Sequence, residues 1–67
     1  MKLTKLKEAR LAAGLEPMEL ALKADMSQAT IYKAESGKVI KKSTAKRLAR
    51  AVGVKLEDLR EVNNGQG

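Results

Sequence analysis

A very short break between two short amphipathic segments is the feature that most constrains the fold. It lies within residues 20–38, LALKADMSQATIYKAESGK. On both sides of the break, apolar residues recur at intervals of three and four, which predicts helices over about 17–24 and 28–36. Only residues 25–27 separate them. So short a connection favours two helices that cross at a large angle, as in a helix-turn-helix, over a relaxed antiparallel hairpin.

The residue types around the break suit such a crossing. Ala21 lies one turn before the break and is small enough to let two helices approach closely. Met26 lies in the break itself and can fill the space between them. The rest of the apolar lining is Leu20, Ala24, Ile31 and Ala34. An ordinary helical hairpin would also accept Ala21. Ala21 alone therefore does not distinguish a helix-turn-helix from a hairpin, whereas the spacing of all these residues does.

The same periodicity predicts three further helices, over about 4–13, 43–52 and 56–62. Each of Gly14, Gly37 and Gly53 suits the left-handed position just after a helix. Three hydroxyl residues, Thr4, Ser27 and Ser43, are placed to cap helix N-termini. We therefore expect an all-α domain of five small helices over residues 1–62, followed by a flexible polar tail over 63–67.

Composition excludes several function classes. The 67 residues suffice for one small domain, and 14 Lys and Arg against 8 Asp and Glu give a net charge of +6, which favours a polyanionic partner. Cysteine and histidine are absent, so no cofactor, metal site or catalytic function is expected. The apolar runs are too short to span a membrane, and a cytoplasmic location is expected. A single aromatic residue, Tyr32, argues against stacking of single-stranded bases.

Residues 6–59 resemble the lambda-repressor-like family of helix-turn-helix domains, the Cro and repressor (XRE) type. The matching positions run through the whole span: Arg10, Gly14-Leu15, Glu19-Leu20-Ala21, Lys23-Ala24, Met26-Ser27, Thr30-Ile31, Glu35, Gly37-Lys38, Leu48-Ala49, Ala51-Val52-Gly53-Val54 and Leu59. The resemblance implies a five-helix domain whose third helix, the recognition helix, enters the major groove of double-stranded DNA.

The resemblance also assigns DNA contacts. Gln28, Ala29 and Lys33 are the expected base contacts, since a glutamine amide can pair with adenine and an alanine methyl can touch thymine. Contacts to the DNA backbone are expected from a larger set of polar residues on helix 3, the following loop and helix 2: Ser27, Thr30, Tyr32, Ser36, Lys38, Lys41, Lys42 and Lys23. Lys46, Arg47 and Arg50 are expected only to keep helix 4 soluble.

Two further sets follow from the resemblance. Arg10 and Glu35 are expected to form an ion pair between helices 1 and 3; we hypothesise that Arg10 locks the recognition helix in place and can face a phosphate. A weak symmetric dimer on DNA would use apolar residues after helices 3 and 4: Val39, Ile40, Val54, Leu56 and Leu59.

The chain departs from the family pattern at three positions. Pro17 stands where a glutamine usually touches a phosphate and braces the first residue of helix 3, and Glu16 replaces the usual Ser or Thr cap. Asp25 stands where glycine is usual in the turn, at a cost of about 1 kcal/mol in a left-handed conformation.

The leading functional prediction is a sequence-specific regulator of transcription, a Cro-like repressor of phage, mobile-element or bacterial origin. One alternative is the antitoxin of a toxin–antitoxin pair, with Leu11, Met18 and Leu22 facing the toxin. Another is a protein–protein module that has lost DNA binding, which Pro17 and Asp25 would permit. RNA polymerase is a further conceivable partner, through Glu16 and Glu19.

Overall fold

Helices account for all regular secondary structure in the part of the chain that the computed structural model describes, residues 1–60. These are α1 (Leu6–Ala12), α2 (Pro17–Ala24), α3 (Gln28–Glu35) and α4 (Lys42–Val52), followed by a 3₁₀ helix at Leu56–Asp58. The all-α class is confirmed. None of the helices within residues 1–60 is long and apolar enough to cross a membrane.

The predicted fifth helix differs from the structure. In its place the described chain has a single 3₁₀ turn of three residues. Leu59, which was predicted to lie within the helix, is the residue after that turn. Its backbone N–H donates to the carbonyl of Leu56. Residues 61–62 of the predicted helix and the predicted tail over 63–67 lie outside the described residues.

The core consists of aliphatic side chains and alanines. The six largest fully buried side chains come from every part of the described chain: Leu3, Leu6, Leu20, Ile31, Leu48 and Leu59. Helix α2 contacts both α3 and α4, while α1 rests on α3 and the 3₁₀ helix rests on α4. Ala21, Ala24 and Ala34 are also buried, which allows α2 and α3 to pack closely.

The α2–turn–α3 unit has the predicted boundaries except at the end of α3, which lies at Glu35, one residue before the predicted position. Pro17 is the first residue of α2, where a missing backbone N–H costs no helical hydrogen bond. The turn residue Asp25 has φ 58, the left-handed conformation expected from its position. The next residue, Met26, donates its backbone N–H to the carbonyl of Ala21 at 2.9 Å, which closes α2.

Only one of the three predicted hydroxyl caps exists. Ser27 caps α3 by accepting the backbone N–H of Thr30 at 3.2 Å. The N-cap residues of α1 and α4 are Lys5 and Lys41, neither of which forms a side-chain cap, so the predictions for Thr4 and Ser43 are wrong.

Tertiary backbone contacts explain the shifted helix starts. Before α1, the N–H of Lys5 donates to the carbonyl of Leu59 at 3.0 Å, beside a local turn in which the N–H of Leu6 donates to the carbonyl of Leu3. Before α4, the N–H of buried Ile40 donates to the carbonyl of Met1 at 2.7 Å. These bonds fix the chain just ahead of each helix, and α4 consequently begins one residue before Ser43.

A matched pair of substitutions tests the cap assignment. Ser27→Ala removes a side-chain acceptor from α3 and should lower the free energy of unfolding by about 1 kcal/mol. Ser43→Ala should change it by less than about 0.5 kcal/mol, since Ser43 does not cap α4. Urea denaturation followed by circular dichroism measures both. An equal loss in the two variants would contradict the assignment.

Candidate nucleic-acid interface

Helix α3, the predicted recognition helix, presents a polar face opposite its buried one. Ile31 and Ala34 are fully buried, which fixes the rotation of the helix. Of the predicted base contacts, Ala29 and Lys33 are exposed and Gln28 is half-buried at the first helical position. Because the side chains of Gln28, Ala29 and Lys33 occur at intervals of one and four, they lie on adjoining parts of one surface. This surface is available to a DNA groove.

The N-terminus of α3 combines capping with a spare donor. The Ser27 and Thr30 hydroxyl oxygens are 3.0 Å apart, and either of them can donate to the other. Since only one hydroxyl proton is used in that bond, the second proton can be donated to an external oxygen such as a phosphate. The predicted backbone contacts by Ser27 and Thr30 are therefore chemically compatible with the cap.

Lysines surround a shallow concave surface beside α3. It is lined by residues of α3, of the following loop and of the start of α4: Thr30, Lys33, Val39, Ile40, Lys41 and Thr44. We call this surface the α3–α4 groove. Lys38 and Lys42, which flank the loop, are exposed as well. Two of the predicted backbone-contact residues, Thr30 and Lys41, thus share a surface with the base-contact candidate Lys33.

The remaining backbone-contact candidates on α3 lie toward its C-terminal end. Tyr32 is 55% exposed. Ser36 is exposed, but its hydroxyl donates to the carbonyl of Lys33 at 2.8 Å, which leaves its oxygen able only to accept another bond. A phosphate offers acceptors and no donor, so Ser36 is a weaker candidate than Tyr32.

Arg10 and Glu35 form the predicted ion pair between α1 and α3. The Arg10 Nε donates to Glu35 Oε2 at 2.5 Å and Nη2 donates to Oε1 at 3.4 Å. Both side chains are about nine-tenths buried. The hydrogen bond to Glu35 raises the pKa of Arg10 above its ordinary value, against the opposing effect of burial. The guanidinium is therefore charged at every physiological pH.

The pair also joins α3 to the loop after α1. Arg10 Nη1 donates to the carbonyl of Leu15 at 2.9 Å. With its nitrogens directed at Glu35 and Leu15 and only 6% of the residue exposed, Arg10 has no surface for a phosphate. The structure therefore supports the locking part of the hypothesis for Arg10 and contradicts the phosphate part.

Several predicted residues lie away from the α3–α4 groove or below the surface. Lys23 lines a different concavity between α2 and α4, together with Arg47 and Arg50. Ile40 and Leu59, predicted at a dimer interface, are buried in the core and have almost no surface to offer a partner. Val54 and Leu56 are half-buried against the core, which leaves Val39, 66% exposed, as the main apolar candidate.

Sequence reasoning missed the role of Arg47. Its guanidinium Nη2 donates to the carbonyl of Ala24 at 2.7 Å and also to the carbonyl of Asp25, and it lies 3.7 Å from the Asp25 carboxylate. Arg47 therefore binds the end of α2 and the turn from α4, and the prediction that it only solubilises α4 is wrong. Nothing in the sequence pattern distinguishes Arg47 from Arg50, which lines the same concavity.

Among residues 1–60, no group of three or more acidic, cysteine or histidine side chains is placed to hold a metal ion. The exposed polar groups of α3 and of the α3–α4 groove are amide, hydroxyl and ammonium groups, which bind by hydrogen bonds and charge.

Comparison with known protein families gives a match over most of the chain. A family model described as "Helix-turn-helix" matches residues 6–59, which is most of the chain. No curated protein and no solved structure gives a significant match.

The buried ion pair can be tested by removing one partner. Arg10→Met should lower the free energy of unfolding by about 3 kcal/mol, because it leaves the Glu35 carboxylate buried without its cation. The additional change Glu35→Gln should recover part of this loss by removing the unpaired charge. Urea denaturation at pH 7 measures both variants.

Lys7→Met is the matched control for this test. Lys7 lies on the same helix and is exposed, so its substitution removes the same charge from α1 without touching the core. It should change stability by less than about 0.5 kcal/mol. If Arg10→Met behaved like Lys7→Met, the pair would not hold α3 to α1.

Proposed function

Because the chain belongs to the lambda-repressor-like helix-turn-helix family of the Cro and repressor type, a family of DNA-binding regulators, we propose that it recognises a specific double-stranded DNA sequence and represses transcription. The observation that carries the proposal is the polar face of α3, which lies beside the lysine-lined α3–α4 groove. In the helix-turn-helix mode, such a face enters the major groove while its surroundings hold the DNA backbone.

Base reading is assigned to the N-terminal half of α3. The amide of Gln28 can donate to and accept from the major-groove edge of adenine at the same time. Ala29 is exposed next to it, and its methyl suits the methyl of a thymine. Lys33, one turn further along α3, can reach either a guanine edge or a phosphate. The combination predicts an A·T-containing step within each recognised half-site.

Contacts with the DNA backbone are assigned to the α3–α4 groove and to the two ends of α3. Residues 27–44 contain four lysines and one acid, Glu35, whose charge is compensated by Arg10. This part of the surface is therefore strongly positive. The contacts come from the hydroxyl of Ser27 or Thr30 and from Lys38, Lys41 and Lys42. Each neutralised phosphate releases condensed counterions, so the affinity will depend steeply on salt.

Repression follows from occupation of a promoter by a small domain. We propose that two copies bind as a weak homodimer on DNA, which would place two recognition helices about one DNA turn apart on a near-palindromic site. Val39 supports this because it is an exposed apolar residue in the loop next to the recognition helix. A bacterial, phage or mobile-element origin and a cytoplasmic, nucleoid-associated location belong to the same proposal.

Exposed apolar side chains on α1 and α2 favour a second candidate function. Leu11, Met18 and Leu22 are 60%, 58% and 77% exposed, and Met18 and Leu22 lie four residues apart on one face of α2. Large exposed apolar side chains on helices other than α3 suit a protein partner. An antitoxin that binds DNA through α3 and a toxin through α1 and α2 would use both sets of residues. Copurification with the product of a neighbouring gene tests this candidate.

Selection from a random duplex library tests base reading. The wild-type chain should enrich an inverted repeat, and Gln28→Ala should relax the preference at one position in each half-site by about 1–3 kcal/mol. Lys46→Ala, an exposed change on α4 outside the groove, should return the wild-type site. If nothing enriches at low salt, DNA recognition is rejected and a protein partner takes its place.

Salt titration tests backbone binding separately. Lys41→Gln should weaken binding about equally for all DNA sequences and reduce the slope of log K against log[salt] by about 1. Lys46→Gln removes the same charge from α4 and should alter the slope much less. Fluorescence anisotropy on one labelled duplex measures both. Equal slopes for Lys41→Gln and wild type would remove Lys41 from the interface.

A further inference from the structure

The turn between α2 and α3 is held from outside by a residue of α4. Arg47 Nη2 donates to two consecutive backbone carbonyls, those of Ala24 and Asp25. These are the last residue of α2 and its C-cap. Backbone carbonyls at a helix C-terminus have no partner within the helix, and a cation there also interacts favourably with the helix dipole. Arg47 supplies both the donors and the charge.

The turn needs such support because of what occupies it. Asp25 is the only residue other than glycine with positive φ within residues 1–60. A side chain in this left-handed conformation costs free energy that glycine would not incur. The turn can relieve this cost by moving Asp25 toward a more favourable conformation, and such a movement would change the angle at which α3 leaves α2.

We propose that Arg47 is a positioning residue for DNA recognition: from α4, it holds the Ala24–Asp25 turn and thereby sets the orientation of the recognition helix. The inference rests on the proposed function, since it concerns how α3 is presented to DNA. Arg47 itself lies beside α2 rather than in the α3–α4 groove.

The position of Arg47 on α4 separates this role from a role in folding. Helix α4 is anchored by Ala45, Leu48, Ala49 and Val52, all of which are buried, whereas the side chain of Arg47 is 46% exposed. Loss of Arg47 therefore leaves the contacts that hold α4 in the core. What changes is the population of molecules in which the turn has the orientation suited to DNA. The apparent affinity falls in proportion to that population.

The first experiment compares two arginines of the same helix. Arg47→Met and Arg50→Met remove the same charge from the same concavity, but within residues 1–60 only Arg47 is bonded to the turn. With the duplex selected by the wild-type chain, Arg47→Met should bind roughly tenfold more weakly, as expected for the loss of hydrogen bonds made by a charged group. Arg50→Met should lose less than about threefold, through its charge alone. Arg47→Lys should recover part of the affinity, because an ammonium can still donate to both carbonyls.

A second comparison separates geometry from charge. Arg47 also lies near the Asp25 carboxylate, so its removal leaves a negative charge uncompensated in the turn. Asp25→Asn removes that charge while keeping a residue that tolerates a left-handed conformation. In the Asp25→Asn background, Arg47→Met should still weaken DNA binding roughly tenfold. A loss that disappears in this background would show that Arg47 acts by neutralising Asp25, and the positioning role would be overturned.

Amide hydrogen exchange, measured without DNA, keeps the inference separate from the proposed function. The backbone N–H of Met26, which is bonded to the carbonyl of Ala21, should exchange faster in Arg47→Met than in Arg50→Met, while the N–H groups in the middle of α4 keep their wild-type protection. Uniformly faster exchange throughout the chain would assign Arg47 to global stability and overturn the inference. If Arg47→Met does not fold, Arg47→Lys serves in the same comparison.

The two kinds of failure are then distinct. If the wild-type chain binds no duplex, the proposed function fails, and the exchange of Met26 alone decides whether Arg47 holds the turn. If the wild-type chain binds and Arg47→Met matches Arg50→Met in affinity and exchange, the proposed function stands and the positioning role is rejected.

Discussion

The close crossing of α2 and α3 is the constraint on which the rest of the structure depends. A connection limited to residues 25–27 brings the two helices into contact, and Ala21, one turn before the connection, is buried. Helix α3 has only eight residues and two fully buried side chains, Ile31 and Ala34. A helix of that length is not stable alone in water, so its shape comes from the elements that hold it. The polar face of α3 is free to bind a partner because the contacts that keep α3 folded are made by its buried face and its ends.

Polar contacts hold α3 at both ends, in addition to the apolar packing of its buried face. At the N-terminal end, Ser27 caps the helix and Arg47 binds the preceding turn. At the C-terminal end, Glu35 is joined to Arg10, which also binds the loop after α1. A buried ion pair contributes more to a fixed geometry than to net stability when compared with apolar packing. For a helix that must fit a groove, a fixed geometry is the more useful contribution.

The sequence predicts the helix-turn-helix closely because its signals there are local. Pro17 at the first helical position and Asp25 as a left-handed residue act through their own backbone, and Ser27 caps α3 by accepting the N–H of Thr30 only three residues on. The structure has all three features. The predictions failed where tertiary contacts decide. Pairing of Ile40 with Met1 and of Lys5 with Leu59 sets the starts of α4 and α1, although Ser43 and Thr4 have the residue types of good caps. No local pattern reports such pairings.

The features of the candidate site also divide into those that the sequence predicts and those that depend on tertiary contacts. The resemblance supplied Arg10 and Glu35, and the contact of 2.5 Å between Arg10 Nε and Glu35 Oε2 confirms that they form a pair. Periodicity gave the outward direction of Ala29 and Lys33, which follows from the rotation of one helix. The burial of Ile40 and Leu59 and the bonds of Arg47 depend on how separate elements meet. These are the features that a one-dimensional pattern of charge and hydrophobicity does not contain.

The two departures at the turn and at the start of α2 are accommodated by neighbouring residues, and this bears on how the chain would bind DNA. Arg47 supports the left-handed Asp25, and Glu19 accepts the backbone N–H of Glu16 at 2.7 Å ahead of Pro17. What the structure does not replace is the amide contact to phosphate that the family usually makes where Pro17 stands. Binding would then rely more on flexible lysines around the α3–α4 groove than on a fixed amide. Because lysine contacts act chiefly through charge, such an interface depends strongly on ionic strength, and its specificity rests on the orientation of α3.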